Sequence, residues 1–168
     1  FELPNVSLAT YVKMNQEFYP NFSQEVLDRC LKDFDLPLSL KLNELSMGQK
    51  KKVFMSFALA TGTRFLLMDE PTNGLDIPSK SQFRKVIANN MTEDRTLIIS
   101  THQVHDVESL LDHIIIMNQS QLLLDASVSD ICGKYTFEYR NPQEMDDTVL
   151  YAEPTLQGNA AICKRQEG

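Results

Sequence analysis

Two short apolar runs constrain this chain more than any other feature. Phe65-Leu66-Leu67-Met68 and Thr96-Leu97-Ile98-Ile99-Ser100 are nearly unbroken, too short for helices, and closed by polar residues. Between them, Phe83, Val86, Ile87 and Met91 recur at helical spacing behind Pro78, a residue suited to a first helical turn. Strand, helix, strand at this spacing predicts a βαβ unit with a right-handed crossover, and hence a parallel sheet of α/β class. Runs of this composition are expected for strands buried on both faces. In an open parallel sheet, the carboxyl ends of adjacent strands border the ligand crevice. Asp69 and Glu70 follow the first strand, and Thr101 and His102 the second, so these groups are expected on one rim.

The flanking segments read differently. Residues 1–44 are expected to be helical, with Val6, Tyr11, Val12 and Met14 in a stretch ending before Pro20. Ser23 is suited to cap a second helix striped by Val26, Leu27, Cys30, Leu31 and Phe34, which Asp35-Leu36-Pro37 stops. Ser46-Met-Gly-Gln49 has the form of a capping box opening a third helix, with Val53, Phe54, Phe57 and Ala58 on its apolar face. A further helix is expected to carry Val104, Val107, Leu110 and Leu111. Ile114–Met117 and Gln121–Asp125 read as strands joined by a tight turn at Asn118-Gln119-Ser120. Beyond a composition change near 126–134, Tyr135, Phe137 and Tyr139 alternate with Thr136, Glu138 and Arg140 as in a strand, and short strands are expected at Thr148–Tyr151 and Ala160–Cys163. The domain reading is therefore a helical part (1–44), an α/β core (45–130) and a small β-rich appendix (131–168).

Composition narrows the function classes. With 42% hydrophobic and 23% charged residues, the 168-residue chain lies near globular averages. Its longest apolar runs are about four residues, against roughly 20 for a membrane span. The net charge of −7 argues against a nucleic-acid backbone as partner, although a local cradle can still hold a nucleotide. Cys30, Cys132 and Cys163 are widely spaced and odd in number, which suggests neither a disulfide framework nor a zinc site and points to a reducing compartment.

Several residues have chemistry suited to a site. Asp69 offers the hard oxygens that Mg²⁺ prefers, Glu70 can polarise a water, and His102 can bond an anionic oxygen or that water. An isolated Asp-Glu-Pro, by contrast, reads as a polar loop completed by Pro71 to Gly74, and a lone His102 as a loop histidine. His102, His105 and Asp106 lack a further ligand at metal-site spacing. The free N–H groups around Met47, Gly48 and Gln49 suit a phosphate, and Gly48 lets an oxygen approach the backbone. Alone, however, Ser46–Gln49 reads as a cap for its own helix, and Lys50, Lys51 and Lys52 as a solvated face.

The combination is far more specific than its parts. Leu45-Ser-Met-Gly-Gln49, then Phe65 to Asp76 (Phe-Leu-Leu-Met-Asp-Glu-Pro-Thr-Asn-Gly-Leu-Asp), then Ser100-Thr-His102 occur in this order. The set resembles the nucleotide-binding domain of ATP-binding cassette proteins over about residues 1–130. Leu45–Gln49 resembles the family signature, with Met47 where glycine is commonest. Phe65–Glu70 resembles the Walker B strand with its catalytic glutamate, Gly74-Leu75-Asp76 the D-loop, and His102 the switch histidine.

The resemblance implies a partial P-loop NTPase-type parallel sheet core. It implies Mg²⁺ support by Asp69, base catalysis by Glu70 and γ-phosphate contact by His102. It also implies ATP clasped from an opposite subunit by Ser46, Met47, Gly48 and Gln49, with Asp76 signalling across a homo- or heterodimer. The implied partner is a transmembrane permease met by residues 1–44, and the implied location is the cytoplasmic face of the membrane. A non-transport ATPase of the same superfamily and a catalytically silent interaction fragment are the alternative readings. A P-loop needs Gly-x-x-x-x-Gly-Lys-Ser/Thr, yet the first glycine is Gly48 and no Gly-Lys-Ser/Thr occurs. The expectation is a chain truncated at its N-terminal side by roughly 80 residues, unable alone to bind ATP well.

Overall fold

Serine caps set the helices that frame the core. A computed structural model describes residues 4–165; residues 1–3 and 166–168, nominally part of the helical stretch and the appendix, lie outside it. The Ser7 hydroxyl accepts from Thr10 N–H and opens α1 (Leu8–Asn15). Ser23 accepts from Val26 N–H and opens α2 (Gln24–Asp33). α2 buries Leu27, Cys30 and Leu31, the expected stripe, with Phe34 buried just beyond. Ser46 and Gln49 form the full reciprocal capping box of α3 (Met47–Ala60). In α3, Val53 and Phe57 are buried whereas Phe54 is half-open. Phe57 gathers Tyr11, Tyr19 and Phe22 at centroid distances of 5.6, 5.7 and 5.4 Å, which ties the N-terminal segment to α3.

The expected βαβ unit follows. β1 (Phe65–Asp69) pairs in parallel with β2 (Thr96–Ser100), Phe65 opposite Thr96 through Asp69 opposite Ser100. α4 (Ile77–Asn90) connects them, with Pro78 in its first turn and Phe83, Val86 and Ile87 buried. Burial on both strand faces is not observed. Leu66, Met68, Leu97 and Ile99 are partly covered, while Phe65, Leu67 and Ile98 are 63%, 71% and 48% exposed. One face of the pair is thus open among the described residues.

The helix expected over Val104–Leu111 is replaced by two 3₁₀ turns, Val104–Asp106 and Glu108–Leu110. Arg84 Nη1 donates to the Asp106 carbonyl at 3.2 Å, the acceptor that an α-helix would present to Leu110 N–H. Leu110 N–H donates instead to Val107 O at 2.8 Å, a 3₁₀ bond.

The chain divides into two compact units after Leu110, and the composition change read near 126–134 falls inside the second. There β3 (His113–Asn118) and β4 (Gln121–Ser127) form an antiparallel hairpin. Gln119 and Ser120 both take positive φ, as a two-residue type I′ hairpin turn requires. α5 (Val128–Lys134), capped by Ser127, leads to a sheet ordered β5 (Tyr135–Arg140), β7 (Gly158–Lys164), β6 (Val149–Thr155), all antiparallel. Among the described residues, no helix is long and apolar enough to cross a membrane.

Candidate functional site

The rim foreseen at the strand ends exists. Because β1 and β2 run parallel and in register, their carboxyl ends bring Glu70 against Thr101 and His102. Glu70 sits at φ 44°, a left-handed value that costs a non-glycine residue about 1–3 kcal/mol. Its N–H donates to Ser100 O at 2.8 Å, and its carbonyl accepts from Lys51 Nζ at 2.9 Å. Lys51 also donates to Asn73 O at 2.6 Å, so one ammonium holds both ends of the turn after β1.

The carboxylate of Glu70 is the centre of a small network. Its Oε1 accepts from His102 Nδ1 at 2.6 Å and from His102 N–H at 3.0 Å, and its Oε2 accepts from the Thr101 hydroxyl at 3.0 Å. Each carboxylate oxygen has room for about two donors, so Oε1 is filled and Oε2 keeps one free position. The His102 ring foremost, then the Thr101 hydroxyl and the His102 N–H, hold the Glu70 carboxyl below its ordinary range against partial desolvation. The His102 side chain is 71% exposed.

Asp69 ends β1 exposed and, among the described residues, without a side-chain hydrogen bond. A solitary carboxylate open to water is a donor set that fits Mg²⁺, which keeps several of its waters. Neither His105 nor Asp106 joins it. His105 pairs with Glu108 at 3.1 Å, and Asp106 pairs with Lys80 at 2.7 Å. Among the described residues, no group of three or more His, Cys, Asp or Glu is arranged to hold a metal ion.

A second locus lies at the start of α3. Ser46, Gly48 and Gln49 line an open groove of about 560 Å³ together with Gly74, Asp76 and Ser79. Met47 is not among the lining residues and is 71% exposed. A Cβ added at Gly48 would meet only Leu75 Cδ2, at 3.8 Å, so nothing among the described residues demands glycine there. Asp76 caps α4, its Oδ1 accepting from Ser79 N–H at 2.8 Å, and its bonds to Ser79 hold its carboxyl below the usual range. Asp69, Glu70 and His102 do not line this groove, so the candidate residues form two separate loci.

Lys51 and Lys52 are not a merely solvated face. Lys52 donates to Gln82 Oε1 at 2.8 Å and stands 5.6 Å from the Phe34 ring centroid. Residues 16–105, more than half of the chain, match the family model described as "AAA domain, putative AbiEii toxin, Type IV TA system". The chain belongs to this AAA-domain family, as a nucleotide-binding domain of the ATP-binding cassette type.

This cassette domain is 33% identical over 113 residues to the zinc uptake system ATP-binding protein ZurA of Listeria innocua, covering 66% of this chain and 44% of that protein. It is 32% identical over 120 residues to the chelated iron transport system membrane protein YfeB of Yersinia pestis, covering 70% and 40%. The solved structure of cbiO1 from Clostridium perfringens, part of the ABC transporter complex cbiONQ, matches with a TM-score of 0.61 and 25% identity. That match covers 78% of this chain and 55% of the other. The cassette domain described here therefore spans less than half the length of these curated relatives.

Proposed function

We propose that this chain is part of the ATP-binding subunit of an ABC transporter, in which ATP hydrolysis drives a separate membrane subunit. The observation that carries the reading is the Glu70 carboxylate, held by His102 and Thr101 at the ends of two parallel strands. Transport relatives at 32–33% identity support it.

Mg²⁺ and ATP, when bound, supply the transferable phosphoryl group and neutralise charge on it. Asp69 is the residue suited to hold the metal, directly or through water. The free position on Glu70 Oε2 accepts a proton of the attacking water and orients its lone pair. While His102 and Thr101 bond it, Glu70 is a weak base. If His102 turns outward to an anionic oxygen, Oε1 loses its first partner and the basicity of Glu70 rises. His102, being exposed, is free to make that turn.

Ser46, Gly48 and Gln49, with Asp76 beside them, serve the nucleotide of an opposing subunit, so two such domains close head to tail. Met47 faces outward near the same closing surface. Exposed Met14 and Phe18 in the helical segment suit a membrane partner, which would place the protein on the inner face of the membrane. These 168 residues hold no Gly-Lys-Ser/Thr phosphate cradle, so turnover is assayed in the full-length protein.

Glu70→Gln tests this in the full-length protein. ATP turnover is expected to fall on the order of 10²–10⁴-fold with ATP binding retained, because base catalysis alone is lost. Normal turnover would remove Glu70 from the mechanism.

A further inference from the structure

Three of the chain's six arginines, Arg29, Arg64 and Arg95, line one cavity of about 320 Å³ in the first unit. It lies at the opposite end of the β1–β2 pair from Asp69 and His102, since Arg64 precedes β1 and Arg95 precedes β2. The parallel register sets these two arginines side by side, with Thr96 N–H donating to the Arg64 carbonyl at 2.7 Å. The Asp94 carboxyl is held below its usual range first by its hydrogen bond with Thr92, with smaller contributions from the positive charges of Arg64 and Arg95. Arg29 enters from α2 and is anchored by Asn90, whose Oδ1 accepts from Nε and Nη2 at 3.2 and 2.9 Å.

The fold uses only part of this donor capacity. Arg95 Nε donates to Thr63 O at 3.0 Å, and Arg29 Nη1 stands 4.0 Å from the exposed Glu25. Among the described residues, the Arg64 side chain makes no hydrogen bond or ion pair, and neither do the two terminal nitrogens of Arg95. The ends of α3 and α4 reach the same cavity and take up some positive charge through their carbonyl dipoles. Three arginines and one carboxylate, Asp94, line the cavity, which reverses locally the sign of a chain whose net charge is −7. Guanidinium forks match phosphate oxygens in pairs. The volume lies at the small end of ligand sites, which span roughly 300–1,000 Å³, and suits a compact ligand.

We infer that this cavity binds a small phosphate-bearing anion of the phosphate-ester or diphosphate class, at a site separate from Glu70 and His102. Arg64 and the terminal nitrogens of Arg95 take the phosphate oxygens, and Arg29 adds charge from a fixed position.

Pyrophosphate titrated calorimetrically into the chain at low chloride tests this, with Arg64→Ala, Arg64→Lys and Lys13→Ala compared. Arg64→Ala should weaken binding about tenfold or more, as loss of charged hydrogen bonds does, and Arg64→Lys should restore it only in part. Lys13→Ala removes the same charge from an exposed position on α1 and should change little. Arg64 holds no internal partner among the described residues, so its variants should keep the parent melting temperature. Absence of pyrophosphate binding at millimolar concentration, or equal weakening by Lys13→Ala, would overturn the assignment. Phosphatidylcholine vesicles with and without phosphatidic acid separate the two sources of the phosphate. Arg64-dependent sedimentation with phosphatidic acid, alongside pyrophosphate binding, assigns it to a lipid headgroup, and pyrophosphate binding alone to a soluble ligand.

Discussion

Gly48→Ala separates stability from function at one atom. Gly48 is the second residue of α3 and takes an ordinary helical φ, and a Cβ there would meet Leu75 Cδ2 at 3.8 Å, an ordinary van der Waals contact. The methyl group costs no packing and removes backbone entropy from the unfolded chain, a gain of about 0.5–1 kcal/mol in helices. For a unit of this size, that raises the melting temperature by roughly 2–6 °C. If the groove at Ser46, Gly48 and Gln49 receives a phosphate oxygen against the backbone, the same methyl occupies that approach. Thermal unfolding followed by circular dichroism reads the first effect, and ATP turnover of the full-length protein reads the second. The expected pair is a higher melting temperature with turnover lowered tenfold or more. A lower melting temperature would refute the packing argument. A raised melting temperature with unchanged turnover would refute the role of Gly48 at a phosphate.

Gly62 is the counter-case: φ is +66° and a Cβ would stand 2.4 Å from Asn21 O, so Gly62→Ala should lower stability by about 1–3 kcal/mol in urea unfolding. Glu70, Asp76 and Asp106 all titrate below their ordinary range, the last chiefly through Lys80. Depressed carboxyls contribute stability that is fully present above the unfolded-state pKa, roughly 4, and lost as pH falls through the folded values. Urea midpoints should therefore be flat from pH 7 to 5 and fall below 4, and Asp106→Asn should flatten that fall.

Much of this was legible because local chemistry and fold agree. Ser23 and Ser46 cap the helices their spacing announces, and the two apolar runs pair as parallel strands. The turn at Gln119-Ser120 closes the hairpin read from Asn118-Gln119-Ser120. What escaped depends on contacts distant in sequence. The Val104–Leu110 segment has helical spacing, but Arg84 and Lys80 from α4 bind Asp106 and break the ladder. Lys51 sits in a charge run, and only the fold brings Glu70 and Asn73 carbonyls to it. Thr101 is a polar residue after a strand until the register faces it to Glu70. α5 did have a signal, since Ser127 stands three residues before Asp130, and its hydroxyl accepts from Asp130 N–H and donates to Asp130 Oδ2. Apolar runs at β1 and β2 suggest two-sided burial, whereas Leu67 and Ile98 show one face open among the described residues.

In the proposed mechanism Ser46–Gln49 and Glu70 work as halves of a site shared by two subunits. Light scattering of the full-length Glu70→Gln protein, with and without ATP and Mg²⁺, tests it most directly. ATP should double the measured mass, with unhydrolysed nucleotide retained in the dimer, and Gly48→Ala in the same background should weaken that dimer. A mass unchanged at saturating ATP, with nucleotide demonstrably bound, would contradict the shared site.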